Sequence, residues 1–444
     1  MLRPQQLHKR GLDAASWKRL PKEARFTRTS TETLAAAPTI RQRGRYYFLN
    51  DGHAAAGVNA LVTYGVGFGP TPAHPDASLV AAFTEEWWGE CDADGRLDFG
   101  GLIALAFLET IVAGECFVLF VQREDGLRLR LVPAEQVDES LTRELGGGAY
   151  IAAGIEFDPQ GNRVAYWIRP AAPTQVFETY APPVRVSAAD VLHLMRPVGV
   201  GQIRGVSWLH PIMLKLADLG LLSDALLKGF QVAALHAGFI EDTLGTSGLP
   251  FDGQPTDSPG ELEVSLEPGT IRRLGPGQRV SFNNPQAAQQ SVEFRTSVIE
   301  EVSAGLGVPA HMCSHNVSRA NYSSLRAALV TFKATLEAHQ HNLLVPMLLG
   351  PIWRRWALTE SLRTGRSLTD ADMRCAWRFC PAPEADSVKA AQATKLLLDM
   401  KLMSRREAIA ERGELVERVD QDIREDAFAA DPEPSEKDST DADA

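Results

Sequence analysis

The stretch that decides the fold runs from Ser291 to Leu358, SVEFRTSVIEEVSAGLGVPAHMCSHNVSRANYSSLRAALVTFKATLEAHQHNLLVPMLLGPIWRRWAL. Val292, Val298, Ile299, Val302 and Leu306 recur at helical spacing and share one face, with Glu293, Arg295, Glu300 and Glu301 elsewhere on the surface. Gly305 and Gly307 loosen the last turn and Pro309 cannot continue the hydrogen bonding, so this helix is predicted to end near Gly307. His311 to Arg319 follows without periodicity. Tyr322, Leu325, Leu329, Phe332, Leu336 and Leu343 then mark a second helix of about 25 residues, ~37 Å long at 1.5 Å per residue. Pro346 and Pro351 are expected to kink or end it before Trp353 and Trp356.

Upstream of this stretch, Ser207 to Phe239 predicts another long helix. Leu209, Ile212, Leu216, Leu219, Leu222, Leu226 and Phe230 line one face, yet Leu214, Leu221, Ala225 and Leu227 make much of the remainder apolar too. A helix greasy on most sides is either central to a large core or packed against copies of itself, and the pattern leaves both open. Between the two helices, Thr243 to Gly260 is rich in Gly, Pro, Thr and Ser and reads as a loop, with strands predicted at Leu262 to Leu266 and Thr270 to Leu274.

The N-terminal half reads as helices followed by strands. Helices are predicted at Tyr46 to Tyr64, Ser78 to Trp88 and Leu97 to Val112. Cys116 to Arg123 and Gly126 to Val132 form a hairpin around Glu124-Asp125, and further strands fall at Ile151 to Phe157, Ala165 to Ile168, Val184 to Val186 and Val191 to Met195. Such an order indicates an α+β fold. Leu102 to Val121 has the ~20-residue length of a membrane span. However, it contains Glu109 and Glu115, and Gly114 divides a helical half from a strand-like half, so no span is expected.

With 444 residues and 44% hydrophobic content the chain can build two or three compact units. Its five cysteines, Cys91, Cys116, Cys313, Cys375 and Cys380, form no CxxC pair, which argues against a disulfide framework and for a reducing compartment. No signal peptide is legible in Met1 to Gly11. Charge is uneven: Met1 to Arg45 holds eleven Lys or Arg against three acids, and Glu425 to Ala444 holds eight acids against Lys437, within a net balance of −11. Blocks of this kind are solvated arms or contacts for oppositely charged partners, nucleic acid among them.

Enzymatic signatures are missing from the sequence. Gly199-Val-Gly201 meets Arg204 where a dinucleotide fingerprint needs its third glycine, and there is no phosphate-cradling Gly-Lys-Ser or Gly-Lys-Thr loop and no Gly-x-Ser-x-Gly elbow. No catalytic residue and no cofactor are predicted. His311, Cys313 and His315, with His339 and His341 one helix away, are donors that a soft metal could use, so a metal-dependent nucleic-acid hydrolase is the rival from another class. A non-viral scaffold of homomeric helices is a second alternative. No metal site is assigned, because ligands at alternate loop positions arise easily by chance and His339 and His341 fall on different helix faces.

Gly305-Leu-Gly-Val-Pro309, the loop, Asn321-Tyr-Ser-Ser324, the long helix and Trp353-Arg-Arg-Trp356 together resemble the C-terminal core of lambda-type bacteriophage portal proteins. Gly201-Gln-Ile-Arg-Gly-Val-Ser-Trp-Leu209, Leu266-Glu-Pro-Gly-Thr-Ile271 with Pro276-Gly-Gln278, and Met403-Ser-Arg-Arg-Glu-Ala-Ile-Ala-Glu-Arg-Gly413 agree with that family in order along the chain. The resemblance covers roughly Tyr46 to Glu425 and implies a portal fold of wing, helical stem, small α/β clip and helical crown, assembled as a ring. The corresponding segments would be a basic arm (1–45), wing (46–206), first stem helix (207–240), clip (241–290), second stem helix (291–310), channel loop (311–319), long helix and wing return (320–382), crown helices (383–424) and an acidic tail (425–444). It also implies a dodecamer at one capsid vertex that passes double-stranded DNA and docks terminase, major capsid and head-completion proteins, with no membrane role. The chain would thus occupy the host cytoplasm during assembly and the virion afterwards. Within this expectation His311, His315, Asn316, Ser318 and Arg319 face DNA in the channel, and Leu216, Leu219, Leu226 and Phe230 face a neighbouring subunit.

Overall fold

A computed structural model describes residues 29–170, 182–234, 238–242, 278–282, 287–318, 321–380, 387–412 and 416–426. The chain divides into two compact units, one formed by Met1–His210 with Gly307–Ala444 and the other by Pro211–Leu306.

The first unit opens with two helices, α1 (Thr29–Asn50) and α2 (Gly52–Gly65). Sequence periodicity placed a helix only from Tyr46 and left the preceding residues in a basic arm. Among the described residues helix already covers Thr29–Asn50, and the break lies at Asp51, whose carboxylate accepts the amides of His53 and Ala54 at 2.9 and 2.8 Å and so starts α2 afresh. Strand β1 (Thr71–Ala73) and the short helix α3 (Ala77–Ala81) follow, and the widened turns of Ala82–Trp87 continue α3. Asp98 caps α4 (Phe99–Val112) through the Gly101 amide at 2.7 Å.

The β2 (Glu115–Arg123) and β3 (Gly126–Pro133) hairpin forms around Glu124-Asp125 as its sequence predicts. A five-stranded meander succeeds it: β4 (Arg143–Gly146), β5 (Ala149–Ala152), β6 (Ile155–Phe157), β7 (Arg163–Ile168) and β8 (Val184–Ser187). The single strand expected over Ile151 to Phe157 is a hairpin, because Ala153 and Gly154 take φ of 48° and 79° and reverse the chain. Strand β9 (Val191–Met195) returns to β2, giving a three-stranded antiparallel sheet in the order β3-β2-β9. Phe117, Val132 and Val191 from this sheet and Ile155, Tyr166 and Ile168 from the meander are buried in one core between the two.

The second unit holds α5 (Met213–Ala234), the antiparallel pair β10 (Gly238–Asp242) and β11 (Gln278–Phe282), and α6 (Ala287–Leu306). Helix α5 starts at Met213 instead of Ser207, since Pro211 disfavours helical geometry at His210 before it. The strands expected at Leu262 to Leu266 and Thr270 to Leu274 lie outside the described residues.

Back in the first unit, α7 (Ala310–Ser314) precedes α8 (Tyr322–His339), the widened segment Gln340–Leu349 and α9 (Gly350–Thr364). The two prolines do not stop this rod. Pro346 and Pro351 have no amide to donate, and the wider turns of Gln340–Leu349, where the Gly350 amide reaches back to the Val345 carbonyl, accommodate that loss. Strand β12 (Ala376–Arg378) pairs with β1, so Trp377 joins Phe83, Phe99, Trp353 and Trp356 in a buried aromatic cluster with Phe83 at its centre. Helices α10 (Ser387–Asp399), α11 (Arg405–Glu411) and α12 (Val416–Glu425) complete the described chain. Among the described residues no helix is long and apolar enough to cross a membrane.

Candidate functional site

The unpatterned loop divides in two. Gly307, at φ 78°, turns the chain out of α6, and Pro309 caps α7, so that His311 to Ser314 are helical. Met312 and Cys313 are buried. His311 is half-buried, and its pKa is lowered by that burial and by the neighbouring His315. The anchor is His53 on α2, whose Nδ1 lies 2.9 Å from the Cys313 carbonyl. His311 therefore belongs to a short packed helix and not to the projecting loop, a correction that follows from the apolar Met312-Cys313 pair drawing this turn inward.

The projecting part begins at His315, whose φ of 51° ends α7. His315, Asn316, Val317 and Ser318 are exposed. Local bonds hold them in place: Asn316 donates its amide to Ser314 Oγ at 3.2 Å, and Ser318 donates its amide to Asn316 Oδ1 at 2.9 Å. Arg319 lies outside the described residues. Downstream, Asn321 and Ser324 form a reciprocal capping box, with Ser324 N to Asn321 Oδ1 at 2.8 Å and Asn321 N to Ser324 Oγ at 3.1 Å. The tip is thus a short polar turn held between two helix termini.

The histidines of the rival metal reading do not converge. His339 packs on Trp208 with ring centroids 4.8 Å apart, and burial together with Arg196 lowers its pKa to about 4. His341 is exposed beside Phe379. Among the described residues no group of three or more His, Cys, Asp or Glu is placed to hold a metal.

Within the second unit α5 packs on α6. Lys215 Nζ pairs with Glu301 Oε2 at 2.9 Å, and a Cβ on Gly305 would come within 2.4 Å of Ile212 Cγ2, so this glycine permits the approach. Leu216 and Leu219 are only 1% and 3% exposed, whereas Leu214, Leu221 and Leu227 are 77%, 70% and 57% exposed. Leu226 is half-buried, and the Phe230 side chain is outside what is described. A leucine already covered within one protomer has no surface to offer a neighbour, so Leu216 and Leu219 belong to the protomer's own packing. Leu214 and Leu221 form the exposed apolar face on the other side of α5, while Leu227, eleven residues beyond Leu216, returns to nearly the same direction and is exposed farther along the helix.

Sequence reading missed a buried ionic centre below Gly201–His210, the strap that leads into α5. Glu115, the first residue of β2, is fully buried. Its Oε1 accepts Arg41 Nη2 from α1 at 3.0 Å and Arg204 Nε from the strap at 2.8 Å. Its Oε2 accepts the Gly205 amide at 2.7 Å and stands 2.9 Å from His193 Nε2 on β9. A carboxylate only accepts, so His193 donates from Nε2. Arg204 also donates to the carbonyls of Ala134, Val137 and Ala153, and Glu139 pairs with Arg41 at 2.6 Å and Arg204 at 3.2 Å. Two arginines and two glutamates balance in charge. Burial alone would raise the Glu115 pKa; Arg204 and His193 override it and hold the carboxyl well below the usual range.

Close backbone approach makes this centre possible. A Cβ on Gly205 would fall 2.2 Å from the Gly114 carbonyl oxygen, and one on Gly114 would fall 2.5 Å from the Val206 carbonyl carbon. The available signals were a glutamate in an otherwise apolar run and an arginine between two glycines.

Comparisons with known proteins follow the same outline. A family model described as "Phage portal protein, lambda family" matches residues 14–340. The chain is 22% identical over 348 residues to "Probable portal protein" of Halomonas phage phiHAP-1, covering 73% of this chain and 67% of that protein. It is 25% identical over 242 residues to "Portal protein B" of Escherichia phage lambda, covering 48% of this chain and 45% of that protein. For the relatives from Escherichia phages N15 and lambda, the match spans about half of their length, 51% and 45%. Among solved structures, a chain of "Neck of native GTA particle computed with C12 symmetry" shares the fold at a TM-score of 0.50 with 13% identity, over 85% of this chain and 93% of that one.

Proposed function

The chain belongs to the lambda family of phage portal proteins, and from that membership we propose that it assembles as a ring of identical subunits whose axial hole passes double-stranded DNA into and out of a capsid. The family match across residues 14–340 carries this reading. The ring stands at one capsid vertex and holds twelve subunits, a count suggested by the C12 symmetry of the neck with the same fold. Terminase docks on it during packaging, and capsid and head-completion proteins bind it in the virion. Its role is structural, without catalysis.

In this assignment α5 and α6 are the stem, the region between them with β10 and β11 is the clip, and residues 46–206 with the return through α9 make the wing. Helices α10 to α12 form the crown. The exposed turn His315 to Ser318, with Arg319, faces the channel, while Leu214 and Leu221 on α5 meet the adjacent subunit. Physical chemistry favours a tip of this composition. Each Lys or Arg contact to phosphate adds affinity through counterion release and would have to be broken as the duplex advances. Across residues 315–319 Arg319 is the single Lys, Arg, Asp or Glu, so each subunit offers one such contact, and the whole chain carries a net charge of −11. Weak contacts of this kind let DNA slide.

The direct test is the particle mass in solution with negative-stain imaging of the same sample. A homogeneous ring with a central hole is expected. A protein that stays monomeric or dimeric at high concentration and in the presence of its capsid protein would sink the assignment.

A further inference from the structure

Four segments distant in sequence end on the Glu115 carboxylate: α1 through Arg41, β2 through Glu115 itself, β9 through His193 and the strap through Arg204 and Gly205. The strap is held on either side of this point, where Arg163 Nη2 donates to the Gln202 and Ile203 carbonyls at 3.3 Å and the Trp208 amide donates to the Ile111 carbonyl at 2.9 Å, and at Arg204 and Gly205 it rests on Glu115. Its Gly205 amide is bonded to Glu115, and its Arg204 side chain spends its donors on the same carboxylate and on carbonyls of the surrounding loops. Helix α1 contributes the one cation from outside the sheet and strap, and a second arginine on the same helix, Arg45, pairs with Glu109 and Glu135 at 3.0 and 2.6 Å without touching Glu115.

We propose that α1 is a clamp on the strap: while Arg41 occupies its place beside Glu115 the strap keeps its path into α5, and withdrawal of α1 releases it. The cause is water. The contacts between Gly114, Gly205 and Val206 leave no room for solvent between strap and β2, as their would-be Cβ clashes demonstrate. Removing a fully buried guanidinium opens a polar void against a buried carboxylate, a site that water enters readily. Once hydrated, Glu115 depends less on the Gly205 amide and Arg204, and the strap loosens against β2 between its bonds to Arg163 and Ile111. One carboxylate thus couples the position of the N-terminal helix to the segment through which the chain enters the second unit, so a partner that draws α1 away acts on the strap.

Hydrogen exchange read by mass spectrometry on the full-length assembled protein tests this. Arg41→Met is expected to speed exchange of the strap amides at residues 202–207 about tenfold, Arg41→Lys to give an intermediate effect, and Arg45→Met to leave the strap unchanged. Because coupling free energies are reciprocal, Arg204→Lys should loosen α1 around residues 37–45. Faster exchange confined to α1 in the Arg41 variants, or an equal strap response to Arg45→Met, would overturn the proposal. Should Arg41→Met prove too unstable to purify, the Arg41→Lys and Arg204→Lys pair decides by the same criterion.

Discussion

At Glu115 five donor atoms converge on a carboxylate that solvent does not reach: Arg41 Nη2, Arg204 Nε and Nη2, the Gly205 amide and His193 Nε2. Breaking a buried ion pair by removing one partner costs about 3–5 kcal/mol, because the surviving charge is left without compensation. Glu115→Gln should therefore lower unfolding stability by an amount of that order at pH 7. The folded-state pKa of Glu115 is depressed, so its contribution is complete above the ordinary carboxylate value near 4.3 and is lost as pH falls from there through the depressed value. The stability gap between wild type and Glu115→Gln, measured by denaturant titration, should consequently narrow between pH 5 and pH 3. A gap independent of pH would contradict the arrangement. The components of this centre were individually visible in the sequence, as a glutamate that spoiled a membrane span and an arginine that spoiled a nucleotide fingerprint. Their partnership was not, since 89 positions separate the two and periodicity reports only local geometry.

Elements with strong apolar spacing were legible: α4, α6, α8 and the β2–β3 hairpin lie close to where their residues placed them. Departures arose where tertiary packing decided. The helical rod passes both Pro346 and Pro351 because the widened turns of Gln340–Leu349 absorb the missing amides. On α5 the spacing could not say which apolar face was internal, and the leucines expected at a subunit contact include two that are internal. This yields a paired prediction. Leu219→Asp buries a charge and should prevent stable folding of the protomer, whereas Leu221→Asp should leave a folded protomer that fails to form rings. Circular dichroism and native mass measurement read the two effects. Rings of normal mass from Leu221→Asp would remove α5's outer face from the interface.

At the scale of the whole molecule, the proposal of a weakly contacting channel predicts separable defects. Deleting Asn316 to Ser318 should spare ring formation yet reduce DNA retention after packaging, and wild-type retention in a packaging assay would count against the loop's role. The division of the chain into two units has an optical consequence as well. All eight tryptophans and all seven tyrosines lie outside Pro211–Leu306. The cluster around Phe83 alone gathers Trp87, Trp88, Trp353, Trp356 and Trp377, with Phe83 5.0 Å from Trp356 and 5.4 Å from Trp353. Indole fluorescence thus originates entirely in the first unit, and the second is dark at excitation wavelengths near 295 nm. An unfolding curve followed by emission will trace the first unit, while helicity followed by circular dichroism will trace both, so any lag between the two signals measures how independently the segment carrying α5 and α6 melts.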